Sequence, residues 1–266
     1  MKRKPRNIAI FGCGPAALTA AAACVRAGFG VEFFSQRKQP SYLYGCQYLR
    51  QPIRGYESVA NGRLDVQLTG TPEEYRDKVY GPGNVLKVAP EDVAVPHDAW
   101  DLRETYAQMW GDIIEYAKAP FHEVDISARG MARSMAIFNQ GFDLTISTVP
   151  APLLCRERDR HFFGRHVVWA SNSKESIRER NLVEFNGTED VSWYRSANVF
   201  GHSSVEWAAK TQFADSASAT KIIKPLYTTC DCYPQIIRLG RYGTWDRAWL
   251  VEDVYTRMAV LLDQIR

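Results

Sequence analysis

The hexapeptide Gly12-Cys13-Gly14-Pro15-Ala16-Ala17 has the composition of a phosphate cradle. Gly12 permits a tight turn, Gly14 lets a pyrophosphate approach the backbone, and Ala17 is small enough for close helix–strand packing. Pro15 to Ala17 fall where the amides and dipole of a helix N-terminus hold phosphate charge. A dinucleotide also needs a partner for its ribose. The position that should carry an acid is Ser35, followed by Gln36 and Arg37, while Glu32 lies three positions too early. Ser35 with Arg37 would suit a 2′-phosphate, so this segment alone leaves FAD and NADP open.

The elements flanking the hexapeptide are those such a site requires. Asn7–Phe11 is a continuous apolar run, the pattern of a strand buried on both faces. Leu18–Ala27 is rich in Ala and reads as a helix stopped by Gly28, and Val31–Phe34 reads as a second strand. Strand, glycine-rich turn, helix and strand in this order convert a weak motif into a specific one. Further on, Leu102, Tyr106, Met109, Ile113 and Ile114 recur at helical spacing and predict a helix over Trp100–Ala117. Residues 61–90 read as short strands and turns, broken at Gly81-Pro82-Gly83-Asn84, and Phe121–Ile126 as a returning strand.

The texture from Val167 to Trp207 is β-like. Leu182–Phe185 and Val191–Arg195 flank Asn186-Gly187, a hairpin signal. These runs predict a small antiparallel sheet that roofs the ligand and carries the substrate pocket. Its polar residues are Tyr194, Arg195, Asn198, His202 and Glu206, with Tyr194, Asn198 and His202 as catalytic candidates. A packed or surface position is nevertheless the commoner fate of a histidine such as His202. Arg156–His166 is dense in arginine; such a run is usually a solvated loop, but Arg158 and Arg160 could fork a phosphate backbone.

Composition narrows the classes. A net charge of +3 is too small to imply nucleic-acid binding by itself, and 45% hydrophobic with 24% charged residues is ordinary for a globular chain. Six cysteines include no C-x-x-C pair, which argues against a zinc ribbon and for a reduced, cytoplasmic protein. Cys230-Asp231-Cys232 reads as a loop with two thiols, because next-but-one cysteines bridge only with strain. The basic Lys2–Arg6 segment before an apolar stretch could pass for an export signal. The interrupting Gly12-Cys13-Gly14-Pro15 is better explained by the phosphate turn.

Gly12–Ala21 resembles the GxGPAGLTAA opening of FAD-binding flavoproteins of the glutathione-reductase and amine-oxidase class. Phe142–Pro150, with Thr148, is similar to the strand by which those proteins re-enter the FAD domain. Gly240-Arg241-Tyr242-Gly243-Thr244-Trp245, before a helix from about Ala248 to Gln264, is similar to the last flavin contact of UDP-galactopyranose mutases and their relatives. The resemblance covers about a third of the chain and implies FAD rather than NADP. It departs from the class at Ser35, where an acid is usual. It also implies that Ser41–Tyr56 crosses near the flavin, which makes Gln47, Tyr48 and Arg54 cofactor or substrate contacts; an ordinary covering loop is the competing reading.

The expectation is thus an α/β chain. Residues 1–60, 121–155 and 230–266 would form a Rossmann-like FAD-binding domain. Residues 61–120 and 156–229 would form an inserted, antiparallel β substrate-covering region, with Arg195, Arg158 and Arg160 among its substrate contacts. The implied activity is oxidation of a C–N bond by hydride transfer to flavin. The chain is shorter than typical members of the class, and compact flavoproteins of this sort resemble bacteriophage lyases acting on amino-acid-modified thymine, so DNA carrying a modified base is an expected partner. The alternatives are a mutase-like enzyme of sugar nucleotides and a non-catalytic dinucleotide-binding protein. No metal or membrane is expected.

Overall fold

The computed structural model describes residues 7–82, 94–126, 141–155, 157–163, 166–171, 181–208 and 219–265. The first apolar run becomes β1 (Asn7–Phe11), with Ile8 and Ile10 in one core and Ala9 and Phe11 in another. Period-two alternation with both faces buried is why the run is continuously apolar. The chain turns through Gly12–Gly14 into α1 (Pro15–Arg26) and returns as β2 (Gly30–Ser35), parallel to β1 with Ile10 opposite Phe33.

Next come β3 (Asn61–Thr69), α2 (Pro72–Tyr80), β4 (His97–Trp100) and α3 (Leu102–Trp110), which runs on as a π-helical segment, Gly111–Tyr116. β5 (Phe121–Glu123) and β6 (Leu144–Ser147) follow. The chain then forms β7 (Phe162–Phe163), β8 (His166–Ser171), β9 (Leu182–Asn186), β10 (Trp193–Val199), β11 (His202–Ala208), β12 (Thr220–Lys224) and β13 (Tyr227–Thr228). It ends with β14 (Ile237–Arg238), a helical turn Gly240–Thr244, and α4 (Val251–Gln264).

Two sheets result, and the fold is α/β. One is parallel, in the order β14-β6-β1-β2-β5; the other runs β12-β8-β11-β10-β9-β3-β4 and is antiparallel except where β3 pairs with β9. A third pairing, β13 with β7, lies where the chain passes between the two halves. Val254, Met258, Leu261 and Leu262 of α4 pack into the same core as Leu18 and Ala21 of α1. Each such large apolar side chain contributes about 1.5–3 kcal/mol by its burial.

Three expectations change. Residues 72–80 form a helix rather than strands and turns, because Thr71 and Glu74 close a reciprocal capping box. The α3 helix falls in a stretch assigned to the covering region, yet Tyr106, Met109 and Ile113 pack against α1 on the parallel sheet. The Asn186-Gly187 hairpin exists, but its loop is longer than two residues: Arg195 pairs with Phe185, and Asn186 Oδ1 accepts from the Thr188 amide at 2.9 Å. The break at Gly83-Asn84 lies outside the described residues. No described helix is long and apolar enough to cross a membrane.

Candidate functional site

The glycine-rich turn sits at the C-terminal end of β1, the edge of a parallel sheet where ligands enter. Gly12 has φ +105°, and a Cβ there would lie 2.5 Å from Thr148 Oγ1, so only glycine fits. Thr148 itself donates from Oγ1 to the Phe11 carbonyl at 3.0 Å, which ties the β6 end to the turn. Gly14 caps α1 without a side-chain hydrogen bond, and no acidic residue occupies the first helical turn. A Cβ on Gly14 would meet nothing nearer than Ser41 Oγ at 3.8 Å. The amides of Ala16 and Ala17 are thus left for an anion, with Pro15 needing no partner and Ala17 buried against the sheet.

The last predicted contact folds back onto this turn. A Cβ on Gly240 (φ +71°) would lie 2.8 Å from Ala16 Cβ, and one on Gly243 would lie 2.6 Å from the Ser147 carbonyl oxygen. Gly12, Gly14, Ala16, Thr148, Gly240 and Gly243 therefore meet although the sequence scatters them. Arg241 and Tyr242 project from the same turn and remain solvent-accessible.

The end of β2 carries Ser35 rather than an acid, and the nearest acid on the strand is already engaged. Glu32 is engaged by Asn7 Nδ2 and by His122 Nε2 at 2.9 Å, towards the other end of the strand. Ser35 is buried beside Cys13, with Oγ and Sγ 3.4 Å apart. The Gln36 and Arg37 side chains are exposed, and the Arg37 carbonyl accepts from Cys13 Sγ at 3.7 Å. Tyr106 OH fastens the next loop, donating to the Cys13 carbonyl and accepting from the Ser41 amide, both at 2.8 Å.

A buried polar cluster lies on the second sheet, near enough to Arg241 of the Gly240–Thr244 turn for its charge to be felt. Arg195 on β10 and Glu206 on β11 are directly opposed across the antiparallel pair, and the β10 register shifts between Trp193 and Arg195. The bulge makes Tyr194 the extra residue, so its hydroxyl also reaches Glu206. Arg195 donates to Glu206 Oε1 through Nε at 2.8 Å and also through Nη2, while Lys224 Nζ stands 3.5 Å from Oε2 and 4.8 Å from the Tyr194 ring centroid. The Cys46 amide donates to Oε1 at 3.1 Å, and Arg103 pins that loop through the Gly45 carbonyl at 2.8 Å.

Burial alone would raise the Glu206 carboxyl, but Arg195 and Lys224 overcome it and hold it at about 2. Burial lowers the Lys224 ammonium against the pull of Glu206, and Arg195 and Arg241 add to the lowering, leaving it at about 8. Desolvation likewise lowers Arg241, with Arg195 and Arg247 contributing. Arg247 lies over the Tyr80 ring, 5.7 Å from its centroid. Arg195, Lys224, Arg241 and Arg247 are thus near enough to influence one another around a single carboxylate, and this excess of positive charge suits an anionic ligand. Lys224, Arg247 and Tyr80 were not legible as site residues. The alternation of TKIIK was the available signal, since Ile222 packs on the same core that Tyr194 enters.

The other predicted residues are placed less centrally. Gln47 donates to the Tyr44 carbonyl at 3.0 Å within its own loop, and Tyr48 packs against His97 with 5.5 Å between centroids. Strand alternation turns Asn198 to the face opposite Arg195 and Glu206. His202 is exposed at the hairpin end of β11, 4.0 Å from Asp101 and four residues from Glu206, about 13 Å along a strand. Trp245 does not face the turn: it is buried edge-to-face on Phe162 at 5.4 Å, in a cluster with Cys155. Arg54 is exposed beside Gly55, which abuts Arg26 at the far end of α1. Arg160 is exposed and paired with Glu157 at 3.1 Å; the Arg158 side chain lies outside the described residues.

No protein-family description and no curated protein matches this sequence. Solved structures do match in fold. A 2,6-dihydroxypyridine-3-hydroxylase from Arthrobacter nicotinovorans is 10% identical, with 98% of this chain and 84% of that chain covered at a TM-score of 0.54. A protein provisionally named a protoporphyrinogen oxidase from Exiguobacterium sp. 255-15 is 10% identical over 99% of both chains, with a TM-score of 0.53. A flavin-dependent brominase is 7% identical over 98% of this chain and 80% of its own, also at 0.53. At this identity the likeness concerns the fold: a parallel sheet joined to a second, mostly antiparallel one.

Proposed function

We propose that the chain is a FAD-dependent oxidoreductase acting on an anionic substrate, most specifically on the C–N bond of an amino-acid-type group. The observation that carries this reading is the gathering of cations around Glu206 together with Arg241, whose turn packs on Ala16 of the Gly12–Ala17 segment. The residues fit the pyrophosphate of FAD, since Gly14 leaves its approach open and the α1 amides lack a side-chain cap. With Glu32 engaged and Ser35 in place of an acid, the ribose needs another partner. The flavin-dependent brominase of similar fold supports the cofactor. The sequence resemblance to amine oxidases supports the bond.

When bound, FAD supplies the acceptor for the hydride and its electron pair from the carbon next to nitrogen, leaving an imine that water hydrolyses. The chain does the rest. Arg241 and Arg195 attract the carboxylate, as guanidinium forks do. Lys224, an ammonium lowered by burial to about 8 and paired with Glu206, adds positive charge beside them. Glu206 holds Arg195, Tyr194 and Lys224 in one constellation.

An absorption spectrum of the purified protein tests the cofactor: two flavin bands recoverable as free FAD are expected. A colourless protein that takes up no added FAD overturns the proposal. Anaerobic titration tests the bond. Bleaching by an amino acid or an aminoacylated thymine oligonucleotide, without nicotinamide, supports C–N oxidation. Bleaching only by NADH or NADPH points to the oxygen-using chemistry of a hydroxylase, and reaction with UDP-galactose after chemical reduction to a mutase.

A further inference from the structure

Outside this site, three thiols converge from two distant segments. Cys155 is buried just after β6, while Cys230 and Cys232 follow β13, and the three sulfurs lie within 4.8 Å of one another. Cys155 and Cys232 Sγ are 3.8 Å apart, close to the edge of a tetrahedral zinc–thiolate site, which is about 3.8 Å for a zinc–sulfur bond of about 2.3 Å. A disulfide would use two of these sulfurs and leave the third over. Arg238 supplies the matching charge: it donates to Cys230 Sγ at 3.4 Å, to the Cys232 carbonyl at 2.7 Å and to the Cys230 carbonyl at 3.2 Å. Three thiolates around a divalent cation carry one net negative charge, which one guanidinium neutralises.

We infer that Cys155, Cys230 and Cys232 bind a zinc ion that clasps the neck between the two sheets. Cys155 stands where the chain leaves the parallel half, and Cys230 and Cys232 where it returns, with β7 to β13 between them. Binding only the folded chain, the ion would tie positions 77 apart and add its binding free energy to folding, next to Trp245 at the end of the Gly240–Thr244 turn. Among the described residues no fourth His, Cys, Asp or Glu ligand atom joins the group, and water completes the tetrahedron.

The test is the metal content of the full chain purified anaerobically under reducing conditions, followed by cobalt(II) titration of chelator-treated protein. Stoichiometric zinc and a thiolate-to-cobalt charge-transfer band are expected, together with a Tm that falls on chelation. Cys155→Ser and Cys230→Ser should lose the band, whereas Cys24→Ser, in the α1 core, should keep it. Arg238→Gln retains all three sulfurs and should weaken zinc binding by about 10–100-fold. Wild-type protein with three titratable thiols but no bound zinc or cobalt overturns the assignment. So does a Cys155–Cys232 disulfide found by mass, or a folded Cys230→Ser that binds cobalt as wild type does.

Discussion

The two walls of the candidate site are built on opposite principles. The Gly12–Ala17 wall is made of backbone: missing side chains, a positive φ and helix amides, all within a few consecutive residues. The Glu206 wall is made of side chains from β10, β11 and β12, brought together by strand register and one bulge. A backbone site tolerates no added atoms but owes little to distant partners. A side-chain site is a balance of buried charges, so each member depends on the others.

That contrast predicts the largest effect on the side-chain wall. Glu206→Ala leaves Arg195 and Lys224 facing each other without their carboxylate, and such broken buried pairs cost about 3–5 kcal/mol. Chemical denaturation should show the loss, and a drop below about 1 kcal/mol would mean the cluster is hydrated rather than buried. The backbone wall should separate stability from binding. Gly12→Ala imposes a strained φ and a clash with Thr148, an expected loss of about 1–3 kcal/mol. Gly14→Val should fold with nearly unchanged Tm but lose FAD, because its side chain enters open space rather than protein. A yellow, stoichiometric Gly14→Val protein would defeat the phosphate assignment.

Legibility in the sequence follows the same division. The parallel half could be read because its signals are local: NIAIF, the glycine turn, the Ala-rich helix and the next strand are consecutive. The long-range approach of Gly240 to Ala16 has no such local signal; resemblance marks Gly240 only as a flavin contact. The side-chain wall could be read only in pieces. Tyr194, Arg195 and Glu206 were named, but no spacing rule reveals that a bulge aligns the first two on the third, or that Lys224 arrives from β12. Asn198 lies one step of alternation away from the Glu206 cluster, and His202 the length of a strand away. The helix at 72–80 does carry a local signal, the capping residues Thr71-Pro72-Glu73-Glu74.

Acid titration sharpens the comparison at moderate cost. Glu206 sits at about 2 in the folded chain, below its unfolded value of 4.5, so its stabilisation is present above about 4.5 and lost as pH falls toward 2. The expected loss is about 3 kcal/mol across that window. Glu206→Gln should abolish most of that slope, and an unchanged slope would assign the acid sensitivity elsewhere. Tyr194→Phe removes one hydroxyl from Glu206 and should cost about 1.5–3 kcal/mol.

The smallest expected effect concerns a residue that the sequence placed in the site and the fold does not. Arg54 is exposed next to Gly55 and Arg26, at the C-terminal end of a helix of 12 residues whose N-terminus forms the phosphate turn. The intervening helix is about 18 Å long, beyond the reach of an arginine side chain to any ligand held at Gly14. Arg54→Ala should therefore change stability by less than about 0.5 kcal/mol and leave flavin retention and substrate KM as they were. Arg241→Ala, on the turn beside Ala16, should raise KM for an anionic substrate while leaving the fold intact. If the two variants behave alike, the candidate site is not where the substrate binds; a KM rise confined to Arg241→Ala fixes the site between the two walls.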